Sequence, residues 1–122
     1  MEMKMFTEVQ SDIMDVIEFR KLWLIFAGWN PVLEFKEIGK TFFDLVMKKD
    51  NKKIGIVAVE DEETLNSLRN LRTYLKHVDE VEFLTNSEDM FWKIREKFAR
   101  KKNWRVVILD GSRNNYNFVY MN

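Results

Sequence analysis

Carboxylates occupy both halves of a hairpin-like stretch at residues 42–61. Asp44 stands early in the first half, and Glu60 and Asp61 close the second half. The pair Asp50-Asn51 between them favours a tight turn, which would make the two halves neighbouring strands. Carboxylates on adjacent strands can share one hard divalent cation, because such a cation takes oxygen ligands. The chemistry that this spacing suggests is metal-assisted activation of water.

A run of basic residues is the second candidate site. Its members are Lys97, Arg100, Lys101, Lys102 and Arg105. Cations that contact phosphates supply the part of nucleic-acid binding that does not depend on sequence. The same run also suits the solvated end of a helix, where the helix dipole favours positive charge. Both interpretations stay open at this point.

Polar residues that follow the buried-looking segments form a third set. They are Glu60, Asp61, Asn86, Asp110, Ser112 and Arg113. The carboxyl ends of parallel strands meet at one edge of a sheet, so these side chains could line a ligand site there. Asp61 and Ser87 suit the caps of the following helices equally well.

Composition excludes several kinds of site. The chain has no cysteine, which removes disulfides, thiolate metal sites and cysteine nucleophiles. His77 is the only histidine, and it has neither metal-ligand spacing nor a serine partner in a motif. The four glycines are scattered and form no phosphate-binding loop.

Length and charge predict one α/β domain that spans residues 1–122. The chain has 20 Lys and Arg against 20 Asp and Glu, so nucleic acid would have to be bound by a local patch. The longest apolar stretch, residues 22–29, is shorter than the roughly 20 residues that span a bilayer. Because the amino terminus lacks a basic region followed by an apolar run, we expect a cytoplasmic protein with no membrane partner.

Periodicity predicts the elements that position these residues. Thr7 and Gln10 have capping-box spacing, so the first helix should begin there and end near Gly28. Another helix should carry Leu65, Leu68, Leu71 and Leu75, and a last one Phe91, Ile94 and Phe98. The predicted strands are Val32–Gly39, Thr41–Lys49, Lys53–Glu60, Val81–Thr85, Trp104–Asp110 and Tyr116–Met121.

The connections between these elements predict a mixed sheet. Short turns join the first three strands, so those strands should be antiparallel neighbours. Helices join the later strands, which should therefore run parallel to one another. The expected order is αβββαβαβ(β), an α/β sheet with helices packed on it.

This order, together with Asp44, resembles the restriction-endonuclease-like PD-(D/E)XK superfamily, in particular the small archaeal Holliday-junction resolvases. The resemblance covers residues 8 to about 110. It implies a divalent metal, Mg²⁺ or Mn²⁺, bound by an Asp of the second strand and by an acid two residues before a lysine on the third strand. An acid of the first helix often joins them. Here the set would be Asp44, Glu60 and Glu18, and the activity would be that of a metal-dependent DNA nuclease.

The third strand departs from that pattern. Its acid-x-Lys positions fall at Val57 and Val59, or one residue further on at Ala58 and Glu60. Neither frame has an acid followed by a lysine. We therefore interpret the chain as a nuclease-like domain without catalysis, with no metal or cofactor, that binds protein or nucleic acid. The TATA-box-binding-protein-interacting proteins of archaea are a similar non-catalytic case.

Two further hypotheses concern the second half of the chain. Residues 53–110 also resemble the first half of a response-regulator receiver, with Glu60 and Asp61 as the acidic pair and Asp110 as the phosphorylated residue. A receiver needs two more strands, whereas only twelve residues follow Asp110. The last segment, Tyr116–Met121, carries three aromatic residues. As an edge strand it could pair with a second copy, so we also expect a protein partner and a homodimer.

Overall fold

The structure, a computed structural model, describes residues 4–32, 42–111 and 116–121. Its helices are α1 (Ile13–Phe26), α2 (Glu62–Asn66), α3 (Leu71–Tyr74) and α4 (Glu88–Lys97). Its strands are β1 (Asn30–Pro31), β2 (Leu45–Lys49), β3 (Lys52–Ala58), β4 (Glu80–Thr85), β5 (Trp104–Asp110) and β6 (Asn117–Met121). None of these helices is long and apolar enough to cross a membrane.

The six strands form one open sheet and lie side by side in chain order. β1, β2 and β3 form an antiparallel meander. β3, β4 and β5 run parallel, and β6 returns antiparallel to β5 at the edge. The predicted α/β class and the mixed sheet are therefore confirmed.

Helices cover both faces of the sheet because the strands bury apolar side chains in both directions. α1 packs Val16 and Leu24 into one apolar cluster with Ile54 of β3. The three later helices pack into the other cluster, which contains Phe91 of α4 and Phe83 of β4. A strand that is buried on both faces has a nearly continuous apolar sequence, as β3 and β5 do.

The hairpin between β2 and β3 turns at the predicted Asp50-Asn51 pair. Lys49 pairs with Lys52 across a two-residue turn, and Asp50 has a φ of 55°. Asp tolerates this left-handed conformation better than most residues do. Within β3, Gly55 leaves room for the Phe43 ring, which lies where a β-carbon would otherwise stand.

The predicted start of the first helix was wrong. α1 begins at Ile13, and the Asp12 carboxylate caps it by accepting the Met14 N–H at 2.8 Å. Residues 7–9 are not helical, and Glu8 forms an antiparallel bridge with Asp110 instead. The capping-box spacing of Thr7 misled the prediction, because the Thr7 N–H donates to Asp110, 103 positions later in the chain.

The single helix expected through the four leucines is two short helices. The Asp61 carboxylate caps α2 by accepting the Thr64 N–H, and the Asn70 side chain caps α3 by accepting the Thr73 N–H. A second cap inside the leucine repeat ends one helix and begins another, since side chains of this type satisfy helix N-termini.

Several strand boundaries also differ from the predicted ones. β2 begins at Leu45 and not at Thr41, and β3 ends at Ala58 and not at Glu60. The predicted strand Val32–Gly39 falls mostly on residues 33–40, which lie outside the described residues. Only Val32 can be placed, and its N–H donates to the Val46 carbonyl at 2.9 Å.

Candidate functional site

Asp44 acts as a backbone substitute at the mouth of the hairpin. Its Oδ2 accepts the Ala58 N–H at 2.7 Å, while its own N–H donates to the Ile56 carbonyl at 2.8 Å. The carboxylate thus extends the β2–β3 ladder by one hydrogen bond. Burial raises the pKa of Asp44, and the hydrogen bond from Ala58 opposes that rise. One oxygen of this exposed carboxylate is therefore occupied by the backbone of β3.

The remaining positions of a nuclease-like site are apolar or distant. Val57 and Val59 are 7% and 0% exposed and belong to the apolar core. Glu60 is exposed beyond the end of β3, and Glu18 is exposed on α1. In the described ranges, no three acids or histidines lie close enough together to hold one metal ion. Asp44, Glu60 and Glu18 are therefore not brought together.

The carboxyl ends of the parallel strands are occupied by the chain's own amino-terminal segment, residues 4–11. The Glu88 carboxylate accepts the N–H groups of Met5 and Phe6, at 3.0 and 2.7 Å. The Thr7 N–H donates to Asp110 at 3.0 Å, and the Gly111 N–H donates to the Thr7 carbonyl at 2.8 Å. Residues 4–11 thus occupy the carboxyl ends of the strands, where α/β domains commonly bind ligands.

Aromatic packing fixes the same segment. The Phe6 ring lies 5.1 Å from Phe91 and 6.2 Å from Trp92. Burial of Glu88 acts to raise its pKa, but hydrogen bonds from the Phe6 and Met5 N–H groups and from the Trp92 indole, together with the Lys4 charge, outweigh it and lower the pKa. The sequence suggested only that Glu88 favours a helix N-terminus, and no local signal indicated its distant partners.

The polar residues predicted to share this edge are divided among structural tasks. Asn86 donates to the Ser11 carbonyl at 2.8 Å. Asp61 caps α2, and Asp110 holds Thr7. The predicted members Ser112 and Arg113 lie outside the described residues.

Cations surround a concavity of about 500 Å³ at the amino ends of the parallel strands, between the end of α3 and the loop after α4. We call it the cationic pocket. Its lining consists of Leu71, Arg72, Leu75, Lys76, Arg100, Lys101 and Lys102. Within the described part of the chain, none of the five cations forms an ion pair. Their charge is therefore available to an anion from outside.

The basic run in the sequence predicts only part of the lining of the cationic pocket. Arg100, Lys101 and Lys102 line it as the basic run suggested. Arg72 and Lys76 were missed, because only the packing of α3 beside the end of α4 brings them to the same place. The spacing of Arg72 and Lys76 in the sequence therefore does not indicate that they line this pocket.

The other two members of the basic run lie elsewhere. Lys97 is exposed on the last turn of α4. Arg105 lies on β5, and its Nε donates to Glu82 Oε1 at 2.9 Å. Alternation along a strand carries Arg105 to the α1 side of the sheet, away from the helices that form the cationic pocket.

Glu82 is the centre of a buried ionic cluster that no pattern in the sequence indicates. It is 0% exposed on β4, and Arg20 of α1, itself 4% exposed, donates from Nε and Nη2 at 2.9 and 2.7 Å. Arg20 and Arg105 also stack on the rings of Phe118 and Tyr120, at 4.9 and 5.4 Å. The two-pronged geometry ties α1 to the middle of the sheet.

A second concavity of about 310 Å³ adjoins the cationic pocket. We call it the indole pocket. Its lining consists of Trp92, Arg95, Glu96, Ala99, Arg100 and Trp104. Arg100 lines both pockets and has a φ of 68°, the left-handed conformation that favours glycine. A non-glycine residue in this conformation is strained, and strained residues concentrate at functional sites.

Comparisons of the chain with protein-family models, with curated proteins and with solved structures found no match. His77, the residue that zinc or triad chemistry would need, stacks on the Phe42 ring at 4.9 Å. The sequence favoured a solvent-facing or capping role, whereas the half-buried ring packs against Phe42 and Phe43.

Proposed function

We propose that this chain is a non-catalytic domain of the restriction-endonuclease-like type that binds nucleic acid through the cationic pocket. The observation that carries the proposal is the set of five cations around one concavity with no carboxylate partner among the described residues. Phosphates satisfy such a set directly, and their release of counterions drives binding.

The distribution of charge favours a polyanion as the partner. Net formal charge is zero, so the cations of the pocket are balanced by acids elsewhere on the molecule. An electrostatic surface of this kind is local, and it would orient a nucleic-acid backbone on one edge of the domain. The apolar floor formed by Leu71 and Leu75 lets the long cationic side chains extend toward the ligand.

The nuclease-like scaffold is supported by topology. The β1–β2–β3 meander is followed by the parallel strands β4 and β5, with α1 on one face and the later helices on the other. This is the arrangement that the resemblance implies. The absence of catalysis is supported by Val57 and Val59 in the core and by the use of Asp44 as a hydrogen-bond acceptor.

Binding is tested with fluorescein-labelled 20-nucleotide DNA, single- and double-stranded, over a range of salt concentrations. For a single strand we expect the logarithm of affinity to fall with the logarithm of salt with a slope of about −2 to −4, as contact of five cations with phosphates requires. Lys101→Glu/Lys102→Glu should abolish most of this binding. Lys21→Glu/Lys48→Glu makes the same charge change on α1 and β2 and should retain it.

Two outcomes would contradict the binding proposal. One is equal loss of affinity in both double variants, which would indicate a general effect of charge. The other is wild-type affinity that does not change with salt. An acidic polypeptide such as polyglutamate, added as competitor, distinguishes a nucleic-acid site from a site for an acidic protein, because only the latter would prefer the competitor.

The nuclease alternative has its own test. The protein is incubated with branched and linear DNA in Mg²⁺ or Mn²⁺, alongside Asp44→Ala. We expect no cleavage by either form. Cleavage by the wild type that disappears in Asp44→Ala would overturn the non-catalytic interpretation and assign Asp44 to a metal site.

A further inference from the structure

We propose that the indole pocket binds one unpaired base of a single-stranded nucleic acid, while the adjoining phosphates lie in the cationic pocket. The inference rests on the proposed function and specifies the form of nucleic acid that the site takes. It follows from three features of the pocket: its aromatic walls, its single carboxylate and its continuity with the cationic pocket.

The walls of the indole pocket are flat and rigid. Trp104 is 4% exposed and packs against Phe98, so it closes the bottom of the pocket and leaves stacking to the other groups; its Nε1 donates to the Lys101 carbonyl at 3.0 Å. Trp92 is half-buried, and its Nε1 donates to Glu88 at 3.1 Å. Because each indole N–H is held, the rings keep their orientation when the pocket is empty. The Arg95 guanidinium lies over the Trp92 ring, 5.7 Å from its centre, and Phe6 also stacks with that ring, so the exposed Arg95 guanidinium is the planar surface that a base would meet.

These surfaces have the chemistry of a base-stacking platform. Aromatic rings and guanidinium planes are the groups on which splayed bases stack in single-strand recognition. A volume of about 310 Å³ accommodates a single base and is too small for a stack of paired bases. The size and the walls together favour one base.

The carboxylate in the pocket favours a base over a phosphate. Glu96 is exposed and forms no ion pair with the described residues. Its negative charge offsets part of the charge of Arg95 and Arg100, so this pocket is less electropositive than the cationic pocket. It can accept a hydrogen bond from the amino group of a base, as Glu does with the N4 amino group of cytosine. The anion-binding function therefore belongs to the neighbouring cationic pocket.

Arg100 connects the two pockets and sets their separation. It lines both, and Ala99 before it and Lys101 after it face one pocket each. A base and the phosphate attached to it therefore find complementary surfaces next to each other. In a duplex the bases are paired and stacked inside, so only an unpaired base can reach the indole pocket while its phosphate reaches the cationic one.

Filling the indole pocket without changing charge tests the inference. Ala99→Leu places an apolar side chain at the exposed end of α4, where it occupies the pocket. We expect affinity for a 20-nucleotide single strand to fall roughly tenfold, the effect of losing one stacked base. Affinity for a duplex of the same length should stay unchanged. Asn66→Leu, an exposed position on α2 away from both pockets, is the matched control, and thermal unfolding confirms that both variants fold.

Tryptophan fluorescence gives a second, independent measurement. Single-stranded oligonucleotide should quench the emission of the wild type, and Trp92→Phe should lose a large part of that quenching. Duplex should quench little. Equal quenching by both forms, or single-strand affinity unchanged in Ala99→Leu, would overturn the inference.

The outcomes also separate the inference from the proposed function. If salt-dependent binding requires Lys101 and Lys102 but is unchanged in Ala99→Leu, the base-binding inference is wrong and the proposed function still holds. If neither single-stranded nor double-stranded DNA binds the wild type, both the inference and the proposed function are wrong.

Discussion

At the scale of single residues, Asp44 shows how a residue of catalytic type can serve the backbone. Its carboxylate accepts the Ala58 N–H where β2 has no carbonyl to offer. An acid in this position costs free energy when ionised, because burial raises its pKa above the ordinary value of 3.8. The protein keeps the acid for its acceptor oxygen, and an amide oxygen would serve the same purpose.

Asp44→Asn should therefore keep or raise the free energy of unfolding at neutral pH. The raised pKa means that the folded state holds this proton more tightly than the unfolded state does. The contribution of Asp44 is thus most favourable below pH 3.8 and declines as pH rises through its folded pKa. Asn removes that decline and keeps the hydrogen bond. Urea denaturation from pH 3 to 8 measures the difference between wild type and variant.

Asp44→Ala is the control, because it leaves the Ala58 N–H without its partner. It should lose about 1 kcal/mol at neutral pH. If Asn proves as destabilising as Ala at pH 7, the charge itself is needed and the structural role is wrong.

Glu82 illustrates the opposite case, a carboxylate whose ion pairs join α1 to the sheet. Its carboxylate holds two guanidinium groups in the interior. Glu82→Ala should cost about 3–5 kcal/mol, because it leaves Arg20 buried without its partner. Replacing Arg20, Glu82 and Arg105 together by Met, Leu and Met should recover most of the loss. Equilibrium unfolding in urea measures both, and a mild effect of the single change would show that the cluster is not tightly buried.

At the scale of elements, the amino-terminal segment is the part whose place depends on one side chain. Glu88 at the start of α4 accepts two N–H groups from residues 5 and 6. Its pKa is held below the ordinary value of 4.5, so its contribution to stability is present above pH 4.5 and lost as pH falls through the folded pKa.

Glu88→Gln should weaken this attachment while retaining the shape of the side chain. We expect loss of about 1–3 kcal/mol and faster amide hydrogen exchange at Met5, Phe6 and Thr7. Exchange in the middle of β4 should not change. Asp89→Asn, one position later and exposed, is the matched control. If exchange in the segment stays slow in Glu88→Gln, aromatic packing of Phe6 holds the segment without the carboxylate.

Elements with a local signal were predictable, and those fixed by distant contacts were not. The buried runs of β3 and β5 and the Asp50-Asn51 turn carry their own patterns, and the structure confirms them. The start of α1 was misjudged because Asp12 caps the helix, while the predicted cap residue Thr7 is held by the distant Asp110. The same distinction applies to the site. The basic run indicated half of the cationic pocket, whereas the cations of α3 arrive only through packing.

At the scale of the whole molecule, zero net charge conceals an uneven distribution. Five cations gather around one pocket, while acids such as Glu82 and Glu88 are used inside the fold. The domain therefore keeps an electropositive surface without a basic composition. β6 forms an edge of the sheet with Tyr120 exposed on it, so the homodimer stays a prediction that sedimentation can test.

The left-handed Arg100 allows folding and binding to be separated in one experiment. Glycine adopts φ values near 68° without strain, so Arg100→Gly should leave stability unchanged or raise it by up to about 1 kcal/mol. It removes one cation from the centre of the paired pockets. Asn103, with a φ of 66°, is the matched position, because Asn103→Gly introduces glycine at a second left-handed residue and removes no charge.

The most direct measurement of the central claim is the salt dependence of single-strand affinity in these two variants. We predict that Arg100→Gly weakens binding and makes the slope less steep by about 0.7, the loss of one phosphate contact. Asn103→Gly should bind as the wild type does. Wild-type affinity and slope in Arg100→Gly would contradict the claim that the cationic pocket binds nucleic acid.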